Sequence, residues 1–102
     1  MTNSVPLTSG IFIDIATGSP TTVHMAPAAD PGRHRGSIIE ITFMNSNSAS
    51  REVTLRDGTH TEIFIVLGKS VQYLKFWQGA GTTLSAQASG SDVVAAGLAL
   101  EI

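Results

Sequence analysis

The sequence contains no cysteine, which excludes a disulfide framework and any thiolate metal site. Burial and ladder hydrogen bonds must hold the fold, and self-association would help. Charge is also scarce. Six basic and eight acidic residues leave a formal net charge of -2, so nothing draws the whole chain toward nucleic acid or an anionic membrane. No apolar run approaches membrane-spanning length. The first residues, MTNSVPLTSG, lack the basic segment and apolar core of a secretory signal, so synthesis in a cytoplasm is expected. Helical periodicity is absent throughout, and no internal repeat is visible. The chain of 102 residues has room for one domain with a modest core, and not for separate substrate and cofactor domains.

What remains is a succession of β-rich runs separated by Gly, Asn, Asp, Ser and Pro. Residues 1–9 read as a polar leader and 10–102 as the domain. Gly10 to Ala16 alternates, with Ile11, Ile13 and Ile15 on one face. Thr21 to Met25 forms a short strand, and the loop APAADPGRHRG follows, where two prolines and two glycines forbid regular structure. Ser37 to Asn45 sets Ile39, Ile41 and Phe43 against Ile38, Glu40, Thr42 and Met44. Arg51 to Arg56 returns with Val53 and Leu55 inward, and Asp57-Gly58 signals a tight turn.

Ile63 to Leu67 is apolar on both faces. Val71 to Trp77 sets Val71, Tyr73 and Trp77 against Leu74 and Phe76. Thr82 to Ala88 turns Leu84, Ala86 and Ala88 to one side. In the last run, Val93 to Ile102, the larger Val94, Leu98, Leu100 and Ile102 are expected to face the core, leaving Ala95, Gly97 and Ala99 as a bare surface. The prediction is an all-β, single-domain, two-sheet jelly-roll (Greek-key) sandwich of about eight strands.

The order TVHMAP, loop, SIIEITFMNSNSAS, REVTLRDGT and GAGTTLSAQASGSDVVAAGLALEI resembles small jelly-roll virion proteins of tailed bacteriophages. In those proteins an "AP…loop…I.I.N.S…..VTL" segment precedes "G.TL.A.AS…..V…G.E". The match covers most of the chain after Thr21, although APAADPGRHRG is longer and more basic than the common APAG form. The resemblance implies a non-enzymatic component of the virion, made in the host cytoplasm. Such proteins are usually trimeric and either cement the capsid surface, against the major capsid protein, or form part of a tail fibre. It brings no catalytic residues and no cofactor.

The residues themselves offer few sites. His24, His34 and His60 lack a nucleophile context such as G-x-S-x-G, so catalysis is not expected. No two histidines fall at ligand spacing, and only Asp57 and His60 could meet across a turn, so no metal site is assigned. The carboxylates Asp14, Glu40, Glu52 and Glu62 fall mostly on outward faces. Arg33, His34 and Arg35 form the only compact basic group, read either as an arm contacting an acidic capsid surface or a phosphate, or as a loop kept soluble by its charge. A nucleic-acid interface would require a broader basic face with stacking aromatics.

Phe76 and Trp77, followed by Gln78, form either a sugar platform, with the Gln amide fixing hydroxyls, or a core aromatic beside one at the sandwich edge or a subunit contact. The expected role is adhesion: a homotrimer on the capsid exterior, with glycan binding at a fibre tip as the alternative.

Overall fold

A computed structural model describes residues 3–30 and 34–102. The described residues form nine strands and no helix: β1 Asn3–Pro6, β2 Phe12–Asp14, β3 Thr21–Met25, β4 Gly36–Asn45, β5 Arg51–Asp57, β6 His60–Val66, β7 Ser70–Gly79, β8 Thr83–Ala88 and β9 Val93–Glu101. They pair, always antiparallel, into two sheets. One runs β1-β9-β4-β7, with β2 also on β9, and the other runs β3-β8-β5-β6. After β2 the chain crosses between the sheets at every connection except the β5–β6 hairpin, which is the winding of a jelly roll. Because β1 and β2 pair with successive stretches of the same edge of β9, they act as one interrupted strand, and eight strand positions result.

The local chemistry explains these elements. Alternation in β4 buries Ile39, Ile41 and Phe43 between the sheets, and Val53, Leu55, Leu84, Ala86 and Ala88 meet them from the other side. Phe43 packs edge-on against Phe64 of β6 with ring centroids 5.3 Å apart, joining the two sheets through an aromatic pair. At the β5–β6 hairpin, Asp57 opposes His60 across a two-residue turn whose first residue, Gly58, has φ 60°. Glycine takes that left-handed angle at no steric cost, so the Asp-Gly signal marks a true hairpin.

Three expectations are corrected. Residues 1–9 are not merely a leader: Asn3–Pro6 pairs with β9, Val5 packs against the core and Leu7 is buried in it. Pro6 is tolerated there because β1 is an edge strand. Ile13 and Ile15 are buried as expected, but Ile11, just ahead of β2, is exposed although its carbonyl accepts the Gly97 amide of β9 at 3.3 Å.

The faces of β9 are the reverse of the expectation. Val93, Ala95 and Ala99 are buried, and Leu98 is exposed. The register supplies the reason: Ala95 lies beside Phe43, Gly97 beside Ile41 and Ala99 beside Ile39. Large β4 side chains already fill the interior, so β9 turns its small residues inward. A Cβ on Gly97 would fall 2.1 Å from the Glu40 carbonyl oxygen.

Candidate functional site

The larger residues of β9 therefore join a second apolar surface on the outer face of the five-stranded sheet. Across β7, β4, β9 and its β1 or β2 partner, the register lays down four outward rows. Val71, Met44, Val94 and Asp14 form the first; Tyr73, Thr42, Ala96 and Phe12 form the second. Lys75, Glu40, Leu98 and Pro6 form the third, and Trp77, Ile38, Leu100 and Ser4 the last. Phe12 is 75% exposed and Val71 64%. The outer face of the other sheet is more polar, with Thr22, Ser85, Arg56 and Thr61 in one row. An antiparallel sheet in water ordinarily keeps one polar face. The five-stranded sheet has apolar side chains on both.

The row that holds Lys75 and Glu40 is internally paired. The Tyr73 hydroxyl donates to Glu40 Oε1 at 2.8 Å, and Lys75 Nζ lies 3.9 Å from the same oxygen. The hydrogen bond to the carboxylate holds the Tyr73 phenol above its ordinary value, and desolvation and the Glu40 charge act in the same direction. Trp77 is half exposed and lies across Gly36, where a Cβ would come 2.2 Å from Cζ2. Backbone on one side fixes the indole and leaves the rest of it open.

A groove of about 430 Å³ opens where β6 and β7, the free edges of the two sheets, come together. Leu55, Phe64, Leu74 and Phe76 form its apolar wall, with Asp57, His60, Glu62, Lys75 and Trp77 at its polar positions. His60 Nε2 and Glu62 Oε1 are 2.8 Å apart on exposed side chains, a surface pair of small energetic worth.

A buried polar group closes the opposite end of the core from Asn45. Ser37 and Gln78 are neighbours in register on β4 and β7, Glu101 lies beside Ser37 on β9, and His24 faces them from β3. A register shift between Thr22 and His24 turns both Val23 and His24 inward. Gln78 Nε2 donates to the carbonyls of His24 and Thr82, at 3.1 and 3.0 Å. The Thr8 amide donates to His24 Nδ1 at 3.0 Å, which leaves the neutral ring's proton on Nε2. Burial pushes the His24 pKa below 6.5; nearby Glu101 opposes the shift and His34 adds to it.

Arg33 lies outside the described residues. Arg35 is exposed, but His34 is buried and exchanges backbone hydrogen bonds with Asp30, so it is not a surface contact. Phe76 packs against the core while Trp77 faces out, dividing core and edge roles between them. Gln78 is fully buried and committed to His24 and Thr82, so it cannot fix a sugar hydroxyl.

Sequence reasoning missed the buried amides, although parity marked them. Ser37 and Asn45 fall on the inward positions of β4, and Gln78 follows Leu74 and Phe76 on β7. Asn45 Nδ2 donates to the carbonyls of Ala49 and Val66, and Asn45 Oδ1 accepts from the Asn47 amide. Among the described residues, no three of His, Asp or Glu are grouped to hold a metal ion.

No family model and no curated protein matches the chain. Among solved structures it is similar to the exo-beta-1,3-galactanase of Phanerochaete chrysosporium, solved with galactose. The TM-score is 0.53 at 13% identity, covering 97% of this chain and 26% of that one. The likeness is one of fold, and the chain spans about a quarter of that protein's length.

Proposed function

We propose that this chain is a non-enzymatic structural protein of a tailed-phage particle, a trimer that decorates the capsid and cements its outer shell. The observation that carries the reading is the apolar outer face of the five-stranded sheet, from Val71 and Phe12 to Trp77 and Leu100. A monomer gains nothing by exposing it, whereas closed symmetric association buries it and adds stability to a chain with no covalent staple. The phage-type motif order supplies the virion context. Arg35, with Arg33 two positions before it, is the charged contact offered to the shell. Several weak contacts per trimer add up through multivalency.

Sedimentation equilibrium tests the association: a particle of three times 10.7 kDa is expected, and Leu98→Glu should reduce it to a folded monomer. A wild-type chain that stays monomeric at high concentration ends the trimer reading. Co-sedimentation with undecorated capsids tests the role. Arg33→Ala with Arg35→Ala should weaken it, and no binding by the wild-type trimer would overturn the capsid assignment.

A second reading, a glycan-binding module of a fibre tip, is favoured by the groove between β6 and β7. It sets Trp77 beside His60, Glu62 and Lys75, an aromatic with hydrogen-bonding groups around it. The galactanase's bound galactose makes galactose the first sugar to try. Quenching of Trp77, the single tryptophan, by galactosides would favour this reading, and an unresponsive spectrum would remove it.

A further inference from the structure

We infer that His24 is an acid-sensitive latch: in its neutral form it holds the Thr8–Ser9 segment on β3, and its protonation releases that segment and frays β1 from the edge of β9. The inference is independent of the proposed virion role.

The geometry is specific about the proton. Thr8 presents two groups to His24 Nδ1, its amide and its hydroxyl, each at 3.0 Å. An amide nitrogen can only donate, so Nδ1 must be an unprotonated acceptor. The hydroxyl, which accepts the Met25 amide at 2.7 Å, has a second lone pair that could take an Nδ1 proton, but the amide has none, so protonation removes the acceptor of the Thr8 N–H. An imidazolium proton on Nδ1 would point into the Thr8 N–H, and one of the two must move.

What would move is the N-terminal segment. Thr8 and Ser9 are fastened to β3 at three residues: Ser9 Oγ donates to the Thr22 carbonyl at 2.6 Å, the Ser9 amide to that of Val23 at 3.3 Å, and Thr8 Oγ1 to that of Met25 at 3.3 Å. Two residues upstream, β1 is held by four register pairs on a sheet edge. Losing the Thr8 anchor leaves a short edge strand, Pro6 included, held by those four pairs and by Val5 and Leu7 against the core.

The surroundings favour a discharged ring. His24 is 3% exposed, and its Nε2 has no hydrogen-bond partner among the described residues, so a charge there would be poorly solvated. By charge, two groups face it. Glu101 on β9 favours the imidazolium, and His34 in the loop between β3 and β4 opposes it. Its hydrogen-bonded neighbours, Thr8 and Gln78 on β7, do not titrate in this range. The balance lies with burial, so the latch is closed at neutral pH and opens below it.

Hydrogen exchange read as protection factors, which divide out the intrinsic effect of pH, tests the latch. Between neutral pH and one to two units below the His24 midpoint, amides of residues 3–9 should lose at least about tenfold in protection while Ile39 to Phe43 change little. His24→Asn keeps an acceptor at the δ position without a titrating ring, and should make residues 3–9 insensitive to pH. Equal protection in the wild type at both pH values overturns the inference, as does an equal loss in the variant.

Should that variant not fold, NMR titration of the wild type decides. The His24 ring, the Thr8 amide and the β1 amides should share one midpoint. Separate midpoints overturn the latch.

Discussion

Gln78 donates from Nε2 to the main-chain carbonyl of His24 at 3.1 Å, a bond from one sheet to the other inside the core. The same amide donates to the Thr82 carbonyl at 3.0 Å, so a single side chain fixes β7, β3 and the β7–β8 turn together. Asn45 does the equivalent at the far end of β4, reaching Val66 on β6 and Ala49. The sandwich is therefore tied at both ends by an amide on an inward position.

Replacing Gln78 with Leu keeps the volume but takes a donor from the buried carbonyl of His24, while that of Thr82 keeps the Ala26 amide at 3.0 Å. The loss should cost about 1–3 kcal/mol. Urea unfolding measures this as a lower midpoint at unchanged slope. A variant as stable as the wild type would show that the two bonds are not structurally important.

The close approach of β9 to β4 makes a second, sharper prediction at Gly97. Its absent Cβ would meet backbone on β4, 2.1 Å from the Glu40 carbonyl oxygen and 2.8 Å from the Ile41 Cα, and neither atom can swing aside as a side chain can. Gly97→Ala should separate the two strands and cost about 1–3 kcal/mol or more by overpacking. Gly18, with nothing within 4 Å of a Cβ, is the control, and Gly18→Ala should leave the melting temperature almost unchanged. Similar melting temperatures for the two variants would contradict this strand packing.

These two sites also divide what could be read in the chain from what could not. The interior of β4 was legible because Ile39, Ile41 and Phe43 alternate between polar punctuation, a local signal. In β9 both parities are uncharged and apolar until Glu101, so alternation alone cannot choose a face. The choice is made by volume, through neighbours more than fifty residues away in sequence. The same holds for the end clusters. Gln78 and His24 lie 54 positions apart, and their bond is a consequence of the jelly-roll winding. Nor could Val5 and Leu7 announce β1, because four residues ending in proline carry too short a pattern.

On the outer face, Tyr73 reports on Glu40. Its hydroxyl donates to Glu40 Oε1 at 2.8 Å, which favours the protonated phenol and raises its pKa above 10.0. Spectrophotometric titration of this single tyrosine should show the upward displacement, and Glu40→Gln should remove most of it by taking away the carboxylate. An unchanged midpoint in the variant would mean that the bond does not persist in solution.

The acid side of the stability profile should belong largely to His24. Burial lowers its pKa in the folded protein below 6.5, outweighing the Glu101 carboxylate, while the unfolded chain titrates near 6.5. Between those two values the unfolded state binds more protons, so stability rises with pH in that window. The contribution of neutral His24 is therefore complete above 6.5 and is lost as pH falls through 6.5 toward the folded value. Carboxylates add their own losses at lower pH, and subtraction separates the two. Urea midpoints of the wild type and His24→Asn, measured from about pH 8 to about pH 5, should run parallel at the alkaline end and converge or cross as the wild type takes up its proton. Curves that stay parallel throughout would show that His24 titrates alike in the folded and unfolded chains, and that its burial carries no pH dependence.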